Sequence, residues 1–174
     1  MRIAILALTL LLLANPASSK ESVYGMSKKT YDAINKVQVM IEEERYDEAI
    51  AEVELLQERK MNGYERAHVL NMAGFLYFQL EDNDRAIAAY DLALQQDGTP
   101  ESQQRSLLNA VSQVCLAVGK YEQAEQYARR LLATETEAPQ PVSQVILAQA
   151  LVGQENYADA VAPLKKALEM LRVS

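Results

Sequence analysis

The sequence predicts an all-α solenoid of about four helix–turn–helix repeats, because one phrase recurs along it at nearly constant spacing. The segments ERYDEAIAEV, GKYEQAEQYA and ENYADAVAPL share a Tyr-x-x-Ala core, while EDNDRAIAAY has Asn83 in place of the Tyr. The alanines of the four copies, Ala49, Ala86, Ala124 and Ala160, are separated by 37, 38 and 36 residues. A fixed period of this length is typical of stacked supersecondary units.

Each repeat contains two stretches with apolar residues at helical spacing, one on each side of the recurring phrase. In the second repeat they are Leu70, Ala73, Gly74 and Tyr77 before the turn, then Ala86, Tyr90 and Ala93 after it. Each repeat is therefore predicted to be a helical hairpin. The expected boundaries of the four repeats are 27–62, 63–99, 100–138 and 139–174, within a repeat domain spanning 20–174.

Helix start and stop signals agree with these boundaries. Ser27 is expected to cap the first helix, and Thr99 to cap the fifth with Pro100 at its first helical position. Gly119 and Gly153 stand where a helix end favours a left-handed residue. Pro139 and Pro141 break the chain before the last hairpin.

The first nineteen residues have the layout of a secretory signal peptide. Arg2 is followed by an uncharged, largely apolar run from Ile3 to Ala14 and then by small residues. Cleavage after Ala17 or after Ser19 would suit the small-residue preference, and an uncleaved N-terminal anchor is the alternative. After cleavage no membrane span is expected, and an exported protein is predicted.

Composition argues against several functions. A net charge of −7 repels phosphate backbones, which disfavours nucleic-acid binding. With one His and one Cys, the chain offers no zinc-ligand set and no visible catalytic constellation, so no catalytic residue, metal or cofactor is expected. Cys115, within the apolar run VCLAV, is predicted to be a buried small hydrophobe rather than a reactive thiol.

The repeat pattern resembles the tetratricopeptide repeat. The spacing of Leu70, Ala73-Gly74 and Tyr77, followed by Ala86, Tyr90, Ala93 and Pro100, resembles its signature of W-x2-L-G-x2-Y, then Ala, an aromatic residue, Ala and Pro. The resemblance implies that the Tyr of Tyr-x-x-Ala fills the hairpin, while the Ala lets the two helices approach closely. All four copies lack the family's Trp, and the first repeat matches the consensus least well.

The same resemblance implies a peptide-binding groove lined by the first helix of each repeat. Carried over onto this chain, the expected groove residues are Gln38, His68, Asn71, Phe75, Phe78, Asn109, Gln113 and Gln149. Amide side chains can both donate and accept, so a row of them could pair with the backbone of an extended peptide, with the phenylalanines as apolar anchors. The alternative is that the amides are solvated helix faces and that the phenylalanines pack on neighbouring helices.

The arrangement of signal peptide, early SKKTYDAINKVQVMIEEERYDEAIAEV unit and NGYERAHVLNMAGFLYFQL also resembles the periplasmic repeat proteins that accompany TonB, ExbB and ExbD. This implies a non-catalytic adaptor in the periplasm of a Gram-negative bacterium, binding a protein or extended peptide of a TonB-linked transport system. Two other functions stay open. One is a cofactor in envelope assembly, cell-wall synthesis or division, and the other is a structural protein that self-associates through its C-terminal face.

Overall fold

The computed structural model describes residues 25–134 and 140–173, and this part of the chain is all-helical, as predicted. The predicted signal peptide and Pro139 lie outside the described residues. Successive helices pair as four hairpins stacked in chain order, and in each hairpin the first is called helix A and the second helix B. The eight helices within the described residues are α1 (Lys28–Glu42), α2 (Tyr46–Gln57), α3 (Gly63–Gln79), α4 (Asn83–Leu94), α5 (Glu101–Ala117), α6 (Tyr121–Thr134), α7 (Pro141–Gly153) and α8 (Tyr157–Val173).

Small residues hold the two helices of a hairpin close together. The four recurring alanines are at most 2% exposed. In the second hairpin, a Cβ atom added to Gly74 would lie 2.7 Å from the ring of Tyr90, and Tyr90 is itself only 1% exposed. The prediction that these small residues allow a close helix contact is therefore confirmed.

The turns within the four hairpins share one backbone path. Each contains a residue with positive φ, namely Glu44, Glu81, Gly119 and Glu155. In each turn, the backbone N–H of the residue after the positive-φ residue donates to the carbonyl oxygen of the residue five positions before it, at 2.8 Å. This hydrogen bond closes a Schellman motif. Gly119 has the predicted conformation. Gly153 does not, because α7 continues through it and Glu155 makes the turn.

The turn tyrosines pack differently from the expectation. The ring of Tyr46 lies edge-on to Phe75, and a side chain on Gly153 would collide with the ring of Tyr121. Both rings thus contact helix A of the following repeat and join neighbouring repeats. At the junction of the second and third repeats, Asn83 replaces the tyrosine and lines an open cleft of about 500 Å³.

The start of α3 ties the first repeat to the second. Asn62 and Glu65 form a capping box, and Glu65 is only 4% exposed. Its carboxylate accepts from the Asn62 N–H at 3.0 Å and from the Ser27 N–H at 2.8 Å. Ser27 caps α1 as predicted, by accepting from the Thr30 N–H.

The fifth helix begins one residue later than predicted. Pro100 occupies the N-cap position and Glu101 is the first helical residue. The Thr99 hydroxyl donates to the Gln96 carbonyl oxygen instead of capping α5. Burial of Cys115, at 0% exposure, is as predicted and raises the pKa of its thiol to about 11.

Candidate functional site

Two of the predicted groove residues, Gln113 and Gln149, line one open cleft between the third and fourth repeats. The cleft has a volume of about 420 Å³. Leu116 and Ala117 of α5 and Tyr121 at the start of α6 complete its lining. The two glutamines hold equivalent positions on neighbouring A helices, α5 and α7, which are in contact. The expected repetition of an amide from one repeat to the next is thus present here.

Asn109 lies one turn before Gln113 on α5, and the two side chains are hydrogen-bonded. The Gln113 Nε2 group donates to Asn109 Oδ1 at 3.0 Å. This bond fixes the orientation of both amides, so that the pair still offers a carbonyl oxygen on Gln113 and an amino group on Asn109. A peptide backbone requires one acceptor and one donor of this kind.

The apolar side of the cleft is held in place by the fourth repeat. Tyr121 packs against Gly153, the last residue of α7. Gln154 donates from Nε2 to the Tyr121 carbonyl oxygen at 3.4 Å and to Glu125 Oε2 at 2.7 Å. The Glu125 pKa is lowered by the Gln154 and Arg129 hydrogen bonds, so the carboxylate that holds Gln154 is ionised at neutral pH.

The predicted residues of the second repeat are placed differently. Phe75 is 9% exposed and belongs to the core cluster of the first two repeats, so its ring serves packing. Phe78 is half-buried and packs against the next core cluster. His68 is half-buried and edge-on to Tyr64, with 4.7 Å between ring centroids, and burial lowers the pKa of its imidazole. Asn71 is also half-buried on α3.

Gln38, the predicted residue of the first repeat, is far along the array from the cleft. Its Nε2 group donates to Glu42 Oε1 at 3.2 Å, on the same exposed helix surface. The predicted row is therefore uneven: amides line a cleft in repeats three and four, whereas a buried aromatic ring takes the equivalent position in repeat two. Peptide binding by these residues stays a prediction.

Sequence reasoning missed the residues that give the cleft its apolar side. Leu116 and Ala117 lie at the end of α5, and Tyr121 belongs to the recurring phrase. The recurring tyrosine could have indicated Tyr121, because a tyrosine that joins two repeats must lie beside helix A of the next repeat. The lining described for this cleft contains no charged side chain, so the arrangement suits an apolar side chain and its flanking backbone.

Other chemistry finds little support in the described part of the chain. Among residues 25–134 and 140–173, no group of three or more His, Cys, Asp or Glu side chains could hold a metal ion. Within the same ranges, no helix is both long and apolar enough to cross a membrane.

Comparisons with known proteins agree with the fold. The tetratricopeptide repeat family matches residues 67–99 and residues 113–172. Among solved structures, "MamA RS-1 ArsTM double mutant" is similar with a TM-score of 0.69 and 19% identity, over 83% of this chain and 76% of the other. "Crystal structure of MamA protein" has a TM-score of 0.67 and 15% identity, over 80% and 72%. Comparison with curated proteins found no match.

These matches cover most of the second hairpin and, around the cleft, the end of α5 together with α6, α7 and nearly all of α8. Tetratricopeptide repeats support a role as a protein–protein interaction scaffold, a type of protein that is typically non-catalytic. At 15 to 19% identity, the solved structures bear on the fold alone.

Proposed function

We propose, from the premise that this chain is a tetratricopeptide-repeat protein, that it is an exported, non-catalytic scaffold that binds extended segments of other proteins. The observation that supports binding is the cleft between α5 and α7. It combines two equivalent glutamines with an apolar side formed by Leu116, Ala117 and Tyr121. Glutamine amides would pair with the backbone of the segment, while the apolar side would take one of its side chains.

Export rests on the layout of residues 1–19, and the periplasm is the compartment we propose. The partner we propose is a component of a TonB-linked transport system. Support for it comes from the resemblance of the early repeat unit to the periplasmic proteins that accompany TonB, ExbB and ExbD. A partner in envelope assembly or cell division is the second candidate, because the same cleft chemistry would accept any extended segment.

One experiment tests these points together. The full-length chain with a C-terminal tag is expressed in a Gram-negative host and recovered from its periplasmic fraction with bound envelope proteins. Loss of the first 17 or 19 residues, measured by intact mass, is expected. Gln113→Ala with Gln149→Ala should abolish recovery of the bound proteins, whereas Gln123→Ala with Gln126→Ala, two exposed glutamines on α6, should not.

Each outcome has a separate meaning. A cytoplasmic chain that keeps Met1 contradicts export. Equal recovery by both double variants contradicts the cleft as the binding site. Recovery of TonB, ExbB or ExbD supports the proposed partner, and recovery of division or assembly proteins alone favours the second candidate.

A further inference from the structure

The outward face of α8 carries an exposed apolar stripe. Its side chains follow one another at alternating spacings of four and three residues, and they are 46 to 62% exposed. This spacing keeps them in one line along a helix. The contact of α8 with its own hairpin is made by the neighbouring line of Ala160, Pro163 and Ala167, all buried. The stripe residues are Tyr157, Val161, Leu164, Leu168 and Leu171.

The preceding repeat shows which kind of element packs on the equivalent face of its helix B. The equivalent face of α6 is covered by α7: Tyr121 packs on Gly153, Gln154 binds Glu125, and Ala128 lies in a cluster with residues of α7. Since Tyr121 at the start of α6 meets the end of α7, the two helices run antiparallel. The positions on α8 equivalent to Tyr121, Glu125 and Ala128 lie 36 residues further along the chain. They are the stripe residues Tyr157, Val161 and Leu164.

Charge beside the stripe indicates the kind of helix that fits. Lys165 and Arg172 follow Val161 and Leu168 by one turn, so they lie on the solvent side of the stripe, and both are exposed. A helix antiparallel to α8 would place its first turn beside Arg172 and its third turn beside Lys165, which lies about 10 Å earlier along α8. Acidic residues there would pair with the cations and also favour the positive end of their own helix dipole.

A second copy of this chain fits the stripe poorly. At the positions equivalent to Ile146 and Leu147 of α7, the exposed face of α1 has Asn35 and Lys36. The first turn of α1 also has two exposed lysines, which would stand near Arg172. Two α8 helices paired antiparallel about Leu164 would bring Lys165 against its own copy, and like charges in such a pair are destabilising.

We propose that the stripe on α8 binds an amphipathic helix of another polypeptide, antiparallel to α8. The bound helix has a small residue near its C-terminal end, facing Tyr157, and acidic residues in its first turns, facing Lys165 and Arg172. This surface is distinct from the cleft and does not depend on what the cleft binds.

A synthetic helix with the sequence of α7 is a suitable probe, because α7 already covers the equivalent face of α6. The labelled peptide contains residues 141–154 preceded by three glutamates, and a matched peptide has three lysines instead. Binding to the chain from residue 20 onward is followed by fluorescence anisotropy. We expect the glutamate peptide to bind at least fivefold more tightly than the lysine peptide.

Variants on α8 locate the binding. Leu168→Glu should weaken the glutamate peptide at least tenfold, whereas Ala162→Glu, also exposed but on the opposite side of α8, should change binding less than twofold. Lys165→Glu with Arg172→Glu should reverse the preference in favour of the lysine peptide. All four sites are exposed, so circular dichroism should show unchanged helicity.

Several results would overturn the proposal. One such result is that neither peptide binds. Another is that Leu168→Glu binds the glutamate peptide as tightly as the wild type does. A third is that Lys165→Glu with Arg172→Glu still prefers the glutamate peptide to the lysine peptide. A dimer mass in light scattering that Leu168→Glu reduces to the monomer would identify a second copy as the occupant. Binding to vesicles of phosphatidylglycerol that Leu168→Glu abolishes, without peptide binding, would identify a membrane surface.

Discussion

Glu65 gives the most direct test of how the repeats are held together. It is buried, and its carboxylate accepts the N–H groups of Asn62 and Ser27. In Glu65→Gln, the amide has nearly the same shape but only one accepting oxygen. Its amino group must then face one of the two N–H donors, which is left without a partner. An unsatisfied buried donor costs about 1–3 kcal/mol.

The pKa of Glu65 sets the magnitude. Burial alone would raise this pKa, but the hydrogen bonds from the Ser27 and Asn62 N–H groups outweigh it and lower the pKa from 4.5 to about 2. At roughly 1.4 kcal/mol per pKa unit, the ionised carboxylate contributes on the order of 3 kcal/mol at pH 7. Because the folded pKa is depressed, this contribution is present above pH 4.5 and is lost as the pH falls towards 2.

Urea unfolding at pH 7 and pH 3.5, followed by circular dichroism at 222 nm, measures the effect. The free energy of unfolding of the wild type should exceed that of Glu65→Gln by about 2–3 kcal/mol at pH 7. That gap should narrow by about 1–2 kcal/mol at pH 3.5, since only the wild-type carboxylate titrates. Glu101 is exposed in the first turn of α5, so the control Glu101→Gln should change the free energy of unfolding by less than about 0.5 kcal/mol. A Glu65 gap that stays constant between the two pH values would refute the reasoning.

Two further substitutions test the packing of the second repeat. Gly74→Val should destabilise the protein by about 1–3 kcal/mol in urea unfolding, because the new side chain would meet the buried ring of Tyr90; an unchanged midpoint would contradict the close contact. Phe75→Ala should cost about 3–5 kcal/mol, since the ring is buried against Tyr46. If stability is kept and partner recovery is lost instead, Phe75 is a binding residue as the sequence suggested.

The hairpins and their order could be predicted because helical periodicity and the recurring alanines are local signals. The tie from Glu65 to Ser27 could not, because the two residues are 38 positions apart and nothing in either segment indicates the other. The glycine at position 153 was misleading: in every hairpin the left-handed residue stands two positions before the first residue of helix B, and in the fourth hairpin that residue is Glu155.

The candidate site was predictable where helix A is polar. Gln113 and Gln149 were found because equivalent positions in a repeat face the same way. Phe75 takes that same position, yet its ring is buried against the turn tyrosine of the preceding repeat. Whether an aromatic side chain at this position is surface or core depends on that neighbour, which helical periodicity alone does not describe.

The replacement of tyrosine by Asn83 changes what joins the second and third repeats at the turn edge. Tyr46 and Tyr121 place an aromatic ring against helix A of the next repeat, whereas the cleft of about 500 Å³ beside Asn83 is spanned by the ion pair between Lys120 and Asp84, at 2.6 Å. Salt screens an exposed ion pair but does not screen the packing of a ring. The turn edge of this joint is therefore held by a contact that weakens as ionic strength rises.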